Sequence, residues 1–293
     1  MTGRDLVGVF APITTPFDIA SGDIAPQQLK DNVARLFAAG LDGIVVAGST
    51  GEAPLLDLDE QRRAVAWTRA VTPSAKWLIA GTGAESTRQA IALTRAAAAE
   101  GADAVLVRPP SYFPAVAARA LANYFRAVAD ASPVPVLVYN IPKYTHVSLP
   151  SELLQELSTH TRIVGAKDSS GDLKNLAAYR EAAPKWALFV GSGSLLLSAL
   201  ELECEGGIVA VACFAPRLCA DLAAAFHSGD RAAATALQDR ITPLDKEIVG
   251  KLGPAGVKAA MDAVGLYGGP PRPPLAPLGT AERERVALLV RGD

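Results

Sequence analysis

Residues 43–83 read GIVVAGSTGEAPLLDLDEQRRAVAWTRAVTPSAKWLIAGTG. An apolar run, GIVVAG (43–48), is followed by a segment of helical period, DLDEQRRAVAWTRAV (57–71), and then by a second apolar run, WLIAGTG (77–83). The runs are continuously apolar rather than alternating, which is the pattern of parallel strands buried on both faces. The helical segment opens with acids and closes toward Arg69, matching its charges to the helix dipole. Together they make one strand–helix–strand unit.

The unit recurs along the chain. Further apolar runs are VGVFAPI (7–13), AVLVRP (104–109), VPVLVYN (134–140), RIVGAK (162–167), ALFVGSG (187–193) and GGIVAVA (206–212). Two more helical segments, QQLKDNVARLFAAG (27–40) and ESTRQAIALTRAAAAEG (85–101), stop at glycine. Eight strand–helix units in roughly 220 residues predict an α/β fold, a TIM (β/α)8 barrel. A doubly wound sheet is the alternative, and even spacing without a second compositional domain favours the barrel. The expected division is a catalytic barrel over 1–221 and a C-terminal helical extension over 222–293. In the extension, RAAATALQDRITPLDKEIV (231–249) and AGVKAAMDAVG (255–265) have helical spacing. The prolines of GGPPRPPLAP (268–277) lack N–H donors, so that stretch is expected as a strap, with a last helix from about Thr280.

Of the 293 residues, 50% are hydrophobic and 20% charged, enough for a large core and inconsistent with disorder. The net charge is −2 with no basic block, so neither nucleic acid nor an anionic membrane is an expected partner. Cys204, Cys213 and Cys219 form no CxxC pair and are expected as reduced thiols. The three histidines form no HExxH pattern and no GxSxG elbow is present, which argues against a metal site and a serine triad. No run reaches the ~18 apolar residues of a membrane span. The opening MTGRDLVGVFAPITTPFD lacks the pattern of a signal peptide, so a cytoplasmic location is expected.

Barrel active sites lie at the C-terminal ends of the strands. The sixth run ends in Lys167, alone among nine lysines in closing a buried strand. A lysine in a barrel mouth loses solvation, which favours the neutral amine, and such an amine attacks a ketone to form a Schiff base. The alternative is an ion pair with Asp168 or another acid at the rim. Tyr139 ends the neighbouring run, where a phenol can shuttle a proton or merely pack. Ser49 and Thr50 in GSTGE (48–52) offer two hydroxyls and several N–H groups, a nest for a carboxylate or phosphate, or an ordinary turn. GSGS (191–194) lies where barrels often hold phosphate. These pieces describe an α-keto acid held as an iminium while a tyrosine moves protons and a C–C bond breaks or forms. That chemistry needs no metal or organic cofactor. A sugar-phosphate isomerase and a non-catalytic ligand-binding regulator are the competing readings.

The motifs GVFAPITTPF (8–17), GSTGE (48–52), AGTGAEST (80–87), VYNIP (138–142), AKDSSGD (166–172) and GGIVAV (206–211) resemble the dihydrodipicolinate synthase / N-acetylneuraminate lyase family of class I aldolases and dehydratases. The resemblance runs nearly end to end and implies the barrel and the Schiff-base mechanism. It implies Lys167 as the Schiff-base lysine, Tyr139 as the proton-transferring tyrosine, and Ser49 and Thr50 as the carboxylate-binding pair, with Thr50 in the relay. It implies that Tyr112 enters a neighbouring subunit's site, and hence a homodimer or homotetramer. Ser169, Gly191 and Val209 complete the expected substrate contacts; Ser170 and Asp172 alternatively cap the following helix.

The resemblance also constrains the substrate. Dihydrodipicolinate synthases carry an arginine two residues after the proline of YNxP, and this chain has Tyr144 there. A phenol does not replace a bidentate carboxylate clamp, so lysine biosynthesis is disfavoured. Sialic acid lyases carry acids after the seventh strand, where GSGS has none. KDSSGD (167–172), GSGSLLLSAL (191–200) and GVKAAMDAVGLYGGPPRPPL (256–275) look most like 4-hydroxy-2-oxoglutarate aldolases, which release pyruvate and glyoxylate. A 2-keto-3-deoxy sugar acid as substrate is the alternative.

Overall fold

A computed structural model describes residues 4–113 and 117–292. Eight parallel strands close into a barrel in sequence order: β1 Gly8–Pro12, β2 Gly43–Val46, β3 Trp77–Gly81, β4 Ala104–Val107, β5 Val136–Asn140, β6 Ile163–Asp168, β7 Ala187–Val190 and β8 Gly206–Ile208. Seven lie within the apolar runs, and β6 extends one residue past its run to Asp168. β1 pairs with both β2 and β8, so no strand edge is left open.

Around the barrel stand α1 Pro26–Ala38, α2 Leu58–Arg69, α3 Thr87–Ala99, α4 Ala118–Ala131, α5 Pro142–Thr145, α6 Ser151–Leu157, α7 Leu173–Ala182, α8 Leu196–Glu201 and α9 Pro216–His227. Local chemistry sets their ends. Asp57 caps α2 in a capping box with Glu60, and Ser86 accepts from the Gln89 N–H at the start of α3. The boundary expected at 221/222 falls inside α9, the helix that follows the eighth strand. The appended helices are α10 Arg231–Leu244, α11 Lys251–Ala263 and α12 Thr280–Arg291. A π-helical stretch, Asp245–Gly250, joins α10 to α11, and Gly253 breaks the helical geometry at φ 58°, ψ −146°. The segment expected as one helix over 231–249 therefore changes winding at Asp245.

Alternation along the strands divides the core in two. Phe10, Val45, Ile79, Leu106, Leu137, Tyr139, Phe189 and Ile208 fill the barrel interior, with Phe10 edge-on to Phe189 at 5.3 Å. Val9, Ile44, Val46, Val105, Val138, Leu188 and Val209 face the helices. Gly43 admits the Phe10 ring, which a Cβ there would approach to 2.3 Å. Cys204, Cys213 and Cys219 are free and buried, and burial pushes the first two thiols up to about 11 and about 12. Among the described residues no helix is long and apolar enough to cross a membrane.

Candidate active site

Lys167 and Tyr139 are register partners on β6 and β5, so their side chains project to the same side of the sheet. That side is the barrel interior. Lys167 is 4% exposed and its Nζ lies 4.3 Å from the centroid of the Tyr139 ring. Asp168 is the next residue along the strand and projects to the opposite face. It accepts from Asn140 Nδ2 at 2.6 Å and from the Ser170 hydroxyl at 2.6 Å. The rim ion pair between Lys167 and Asp168 is therefore not formed. Burial raises the Asp168 carboxyl above its ordinary value, against hydrogen bonds from the Ser170 hydroxyl, Asn140 and the Ser170 N–H that hold it down.

Lys167 opens into a cavity of about 230 Å³ that also reaches Ser49, Thr50, Tyr139, Ser169 and Gly191. Ser169 donates to the Tyr139 hydroxyl at 3.3 Å, which orients the phenol. Gly191 is required by contact: a Cβ there would fall 1.8 Å from Ser169 Oγ and 3.0 Å from Lys167 Cε. The Gly191 N–H donates to the Asp168 carbonyl, holding the strand-7 loop against β6.

The Ser49–Thr50 turn is built under constraint. Ala47 and Glu52 both have positive φ, 54° and 59°, conformations that non-glycine residues rarely adopt. The turn is held by the Thr15 hydroxyl, which donates to the Gly51 carbonyl at 2.6 Å. It is held more deeply by Glu52, whose Oε1 meets Lys258 Nζ of α11 at 2.6 Å, with the two side chains 0% and 1% exposed. Lys258 also donates to the Pro270 carbonyl at 2.8 Å, and the Arg272 N–H donates to Glu52 Oε2 at 2.8 Å. Arg272 then bonds both oxygens of Glu60 at 2.7 Å. Burial lowers the Lys258 ammonium below its ordinary value, and Glu52 counters it. The proline strap and α11 thus brace the turn that presents Ser49 and Thr50. Sequence reading noted the 256–275 stretch as kinship and missed this role, because nothing local pairs Glu52 with a lysine 206 positions away.

One expected contact is placed elsewhere. Val209 is fully buried and faces the helix layer, while its neighbours Ile208 and Ala210 line the cavity. Period-two alternation puts Val209 on the wrong face for a side-chain contact. Tyr112 is 78% exposed, stacked edge-on against Phe113 at 5.0 Å, and does not reach this chain's cavity. Asp245 lines the cavity without having been singled out in the sequence. It is 5% exposed, and its Oδ2 accepts from the Ser192 hydroxyl and the Ser194 N–H, both at 2.9 Å. The acid missing from GSGS is thus brought in from the π-helical stretch. At the rim, Lys143 Nζ donates to the Gly250 carbonyl at 2.9 Å beside Tyr144, whose phenol is raised by burial. Among the described residues no cluster of His, Cys, Asp or Glu is arranged to hold a metal ion.

A buried amine beside an oriented phenol, with the Ser49 and Thr50 hydroxyls in the same cavity, is an arrangement for imine chemistry on a small keto acid. Comparison with known proteins agrees. Residues 5–292 match the model of the dihydrodipicolinate synthetase family. A 4-hydroxy-tetrahydrodipicolinate synthase of Methanothrix thermoacetophila is 37% identical over 92% of this chain and 91% of its own length. An uncharacterized DapA-like lyase of Halobacterium salinarum is 38% identical over 97% of this chain and 92% of its own length. The crystal structure of dihydrodipicolinate synthase DapA-2 from Bacillus anthracis superposes with a TM-score of 0.94 at 29% identity, covering 99% of both chains. That of YagE from E. coli K12, in complex with pyruvate, gives 0.92 at 26% identity, covering 98% of both. The chain belongs to the dihydrodipicolinate synthetase family, whose members are carbon–carbon lyases and synthases that act through a lysine Schiff base.

Proposed function

We propose that this protein is a pyruvate-dependent class I aldolase that cleaves a 4-hydroxy-2-keto acid to pyruvate and an aldehyde. The observation that carries the reading is Lys167, buried at a strand end with no carboxylate partner among the described residues and its Nζ against Tyr139. Its amine adds to the C2 ketone and water leaves, giving an iminium. Tyr139, with Thr50, takes the proton of the C4 hydroxyl. The C3–C4 bond then breaks, its electron pair moves into the iminium as an enamine, and the aldehyde departs. Protonation at C3 and addition of water return pyruvate and the free amine. Ser49 and Thr50 hold the carboxylate through hydroxyls and turn N–H groups.

Kinship favours 4-hydroxy-2-oxoglutarate, with glyoxylate as the aldehyde. Lys143 at the rim supports that substrate as a cation for its second carboxylate. A 2-keto-3-deoxy sugar acid is the second reading, supported by Asp245 in the cavity wall. Synthesis of 4-hydroxy-tetrahydrodipicolinate, the activity named for several relatives, stays disfavoured by Tyr144 in place of arginine. By the family resemblance the active form is a dimer or tetramer in which Tyr112 reaches a neighbour's site. Its exposure supports a subunit contact there.

Borohydride with pyruvate should add one reduced pyruvyl mass to Lys167, read by peptide mass spectrometry. An unmodified Lys167, or an adduct that persists in Lys167→Ala, overturns the reading. Condensation of aspartate semialdehyde with pyruvate at a rate above that of 4-hydroxy-keto acid cleavage overturns the argument from Tyr144.

A further inference from the structure

Asp168 follows Lys167 directly and takes no part in the chemistry proposed above. It is 2% exposed, on the helix side of β6. Among the described residues no cation pairs with it, so donors alone hold its charge. Oδ1 accepts from Asn140 Nδ2 at 2.6 Å, and Oδ2 accepts from the Ser170 hydroxyl at 2.6 Å and the Ser170 N–H at 3.2 Å. A buried charge without a counter-ion is costly, and an apolar residue would serve packing better.

A carboxylate only accepts, so it sets the direction of the hydrogen bonds around it. Asn140, 1% exposed, must turn Nδ2 to Asp168, which leaves Oδ1 for the Leu149 N–H at 3.1 Å. The Ser170 proton is committed to Asp168, which leaves its oxygen for the Asp172 N–H at 3.2 Å, at the start of α7. One anion thus ties the β5 loop, through Leu149, to the turn after β6. Ser169 lies in that turn. Its N–H donates to the Asn140 carbonyl at 2.8 Å, and its hydroxyl donates to the Tyr139 hydroxyl at 3.3 Å. The Asp168 carbonyl holds the Gly191 N–H at 2.6 Å, and Gly191 packs against Ser169 Oγ.

We infer that Asp168 is a positioning residue: its carboxylate fixes the Ser169–Ser170 turn so that Ser169 aims the Tyr139 phenol at the substrate carried on Lys167. The inference rests on the Schiff-base reading. The Ser49–Thr50 turn lies outside this relay and is braced separately by Glu52 and Lys258. Loss of the Asp168 charge therefore slows proton transfer without weakening the hold on pyruvate.

Exchange of the pyruvate methyl protons in deuterium oxide, followed by proton NMR, reads that step with no aldehyde present. Lys167 forms the iminium, a C3 proton passes to an enzyme base as its bonding pair moves into the iminium, and a deuteron returns to the enamine at C3. Asp168→Asn keeps the shape but leaves either the Ser170 N–H or the Leu149 N–H facing a donor. Per folded enzyme, it should lower the maximal exchange rate at least about tenfold, the effect of a misplaced reacting group. Half-saturating pyruvate should stay within about twofold of wild type. The double swap Asn140→Asp with Asp168→Asn matches every donor again. The moved carboxylate accepts from Leu149 and from the new amide, whose oxygen faces Ser170. The swap should restore the rate to within about threefold of wild type, since coupled partners are not additive. Ser170→Ala removes one donor, should cost about threefold, and keeps the test decisive if Asp168→Asn does not fold. Pyruvate–borohydride trapping at Lys167 is run in parallel. With the adduct formed, an unchanged rate in Asp168→Asn or Ser170→Ala, a loss confined to half-saturating pyruvate, or a folded swap as slow as Asp168→Asn overturns the positioning role alone. Absence of the adduct in wild type overturns the Schiff-base reading beneath it.

Discussion

Replacing Lys258 by methionine tests whether the C-terminal segment supports the active-site turn. The substitution nearly conserves length while removing the ammonium that faces Glu52 at 2.6 Å. Glu52 would remain buried at 2% exposure with the Arg272 N–H on Oε2 and nothing facing Oε1. Breaking a buried pair by removing one partner typically costs about 3–5 kcal/mol, because the charge left behind is neither solvated nor neutralised. The lost bond to the Pro270 carbonyl and the lost approach to the Phe17 ring at 4.4 Å act in the same direction. Against a total stability of about 5–15 kcal/mol this is a large fraction, equivalent to roughly 10 °C in Tm for a chain of this size. The assay is urea unfolding followed by far-UV circular dichroism, in Lys258→Met, Glu52→Gln and the double variant. The double variant should recover at least about 2 kcal/mol relative to the sum of the single costs, since it leaves no buried charge unpaired. A cost for Lys258→Met below about 1 kcal/mol, or strictly additive single costs, would refute the reasoning.

Two other expectations concern the exposed segment that carries Tyr112. Burial works against the Glu85 anion, but the Tyr112 N–H, the Ser111 hydroxyl and N–H, and Arg108 outweigh it and hold the carboxyl down at about 2. A depressed folded value means that this contribution is present above about pH 4.5, the ordinary value, and is lost as pH falls through about 2. The Tyr112 amide proton should therefore titrate by NMR with a midpoint near 2, and a midpoint near 4.5 would contradict the contacts. Wild type should sediment as a dimer or tetramer, and Tyr112→Phe should lower kcat for pyruvate release without changing that state; a fully active monomer would remove Tyr112 from the mechanism.

The strands were legible because each is a compact run of apolar residues, and their helices because caps and glycines punctuate them. Asp57 and Glu60 predict the start of α2 within the chain segment that contains both. Lys167 and Tyr139 were legible for a related reason: both close buried runs on consecutive strands, and parallel pairing places them side by side. Val209 was misplaced because a three-residue strand such as β8 is too short for its own sequence to say which face points inward. Asp245 was missed because it sits in a stretch of ordinary helical composition, and only the shift to π winding near Pro243 and Gly253 brings its carboxylate to the β7 loop.

The linear order of residues was enough for the (β/α)8 architecture, the lysine and its phenol, and the hydroxyl turn after β2. These depend on periodicity and end signals carried within windows of about 10 to 15 residues. The tertiary structure decided which strand residues face the cavity, that Lys258 and Arg272 brace Glu52, and that Asp245 accepts from Ser192 and Ser194 of the β7 loop. Those contacts join positions from 51 to 220 residues apart. Their partners are chosen by barrel closure and by the seating of the C-terminal helices over its mouth, and neither leaves a periodic trace in the segments that meet.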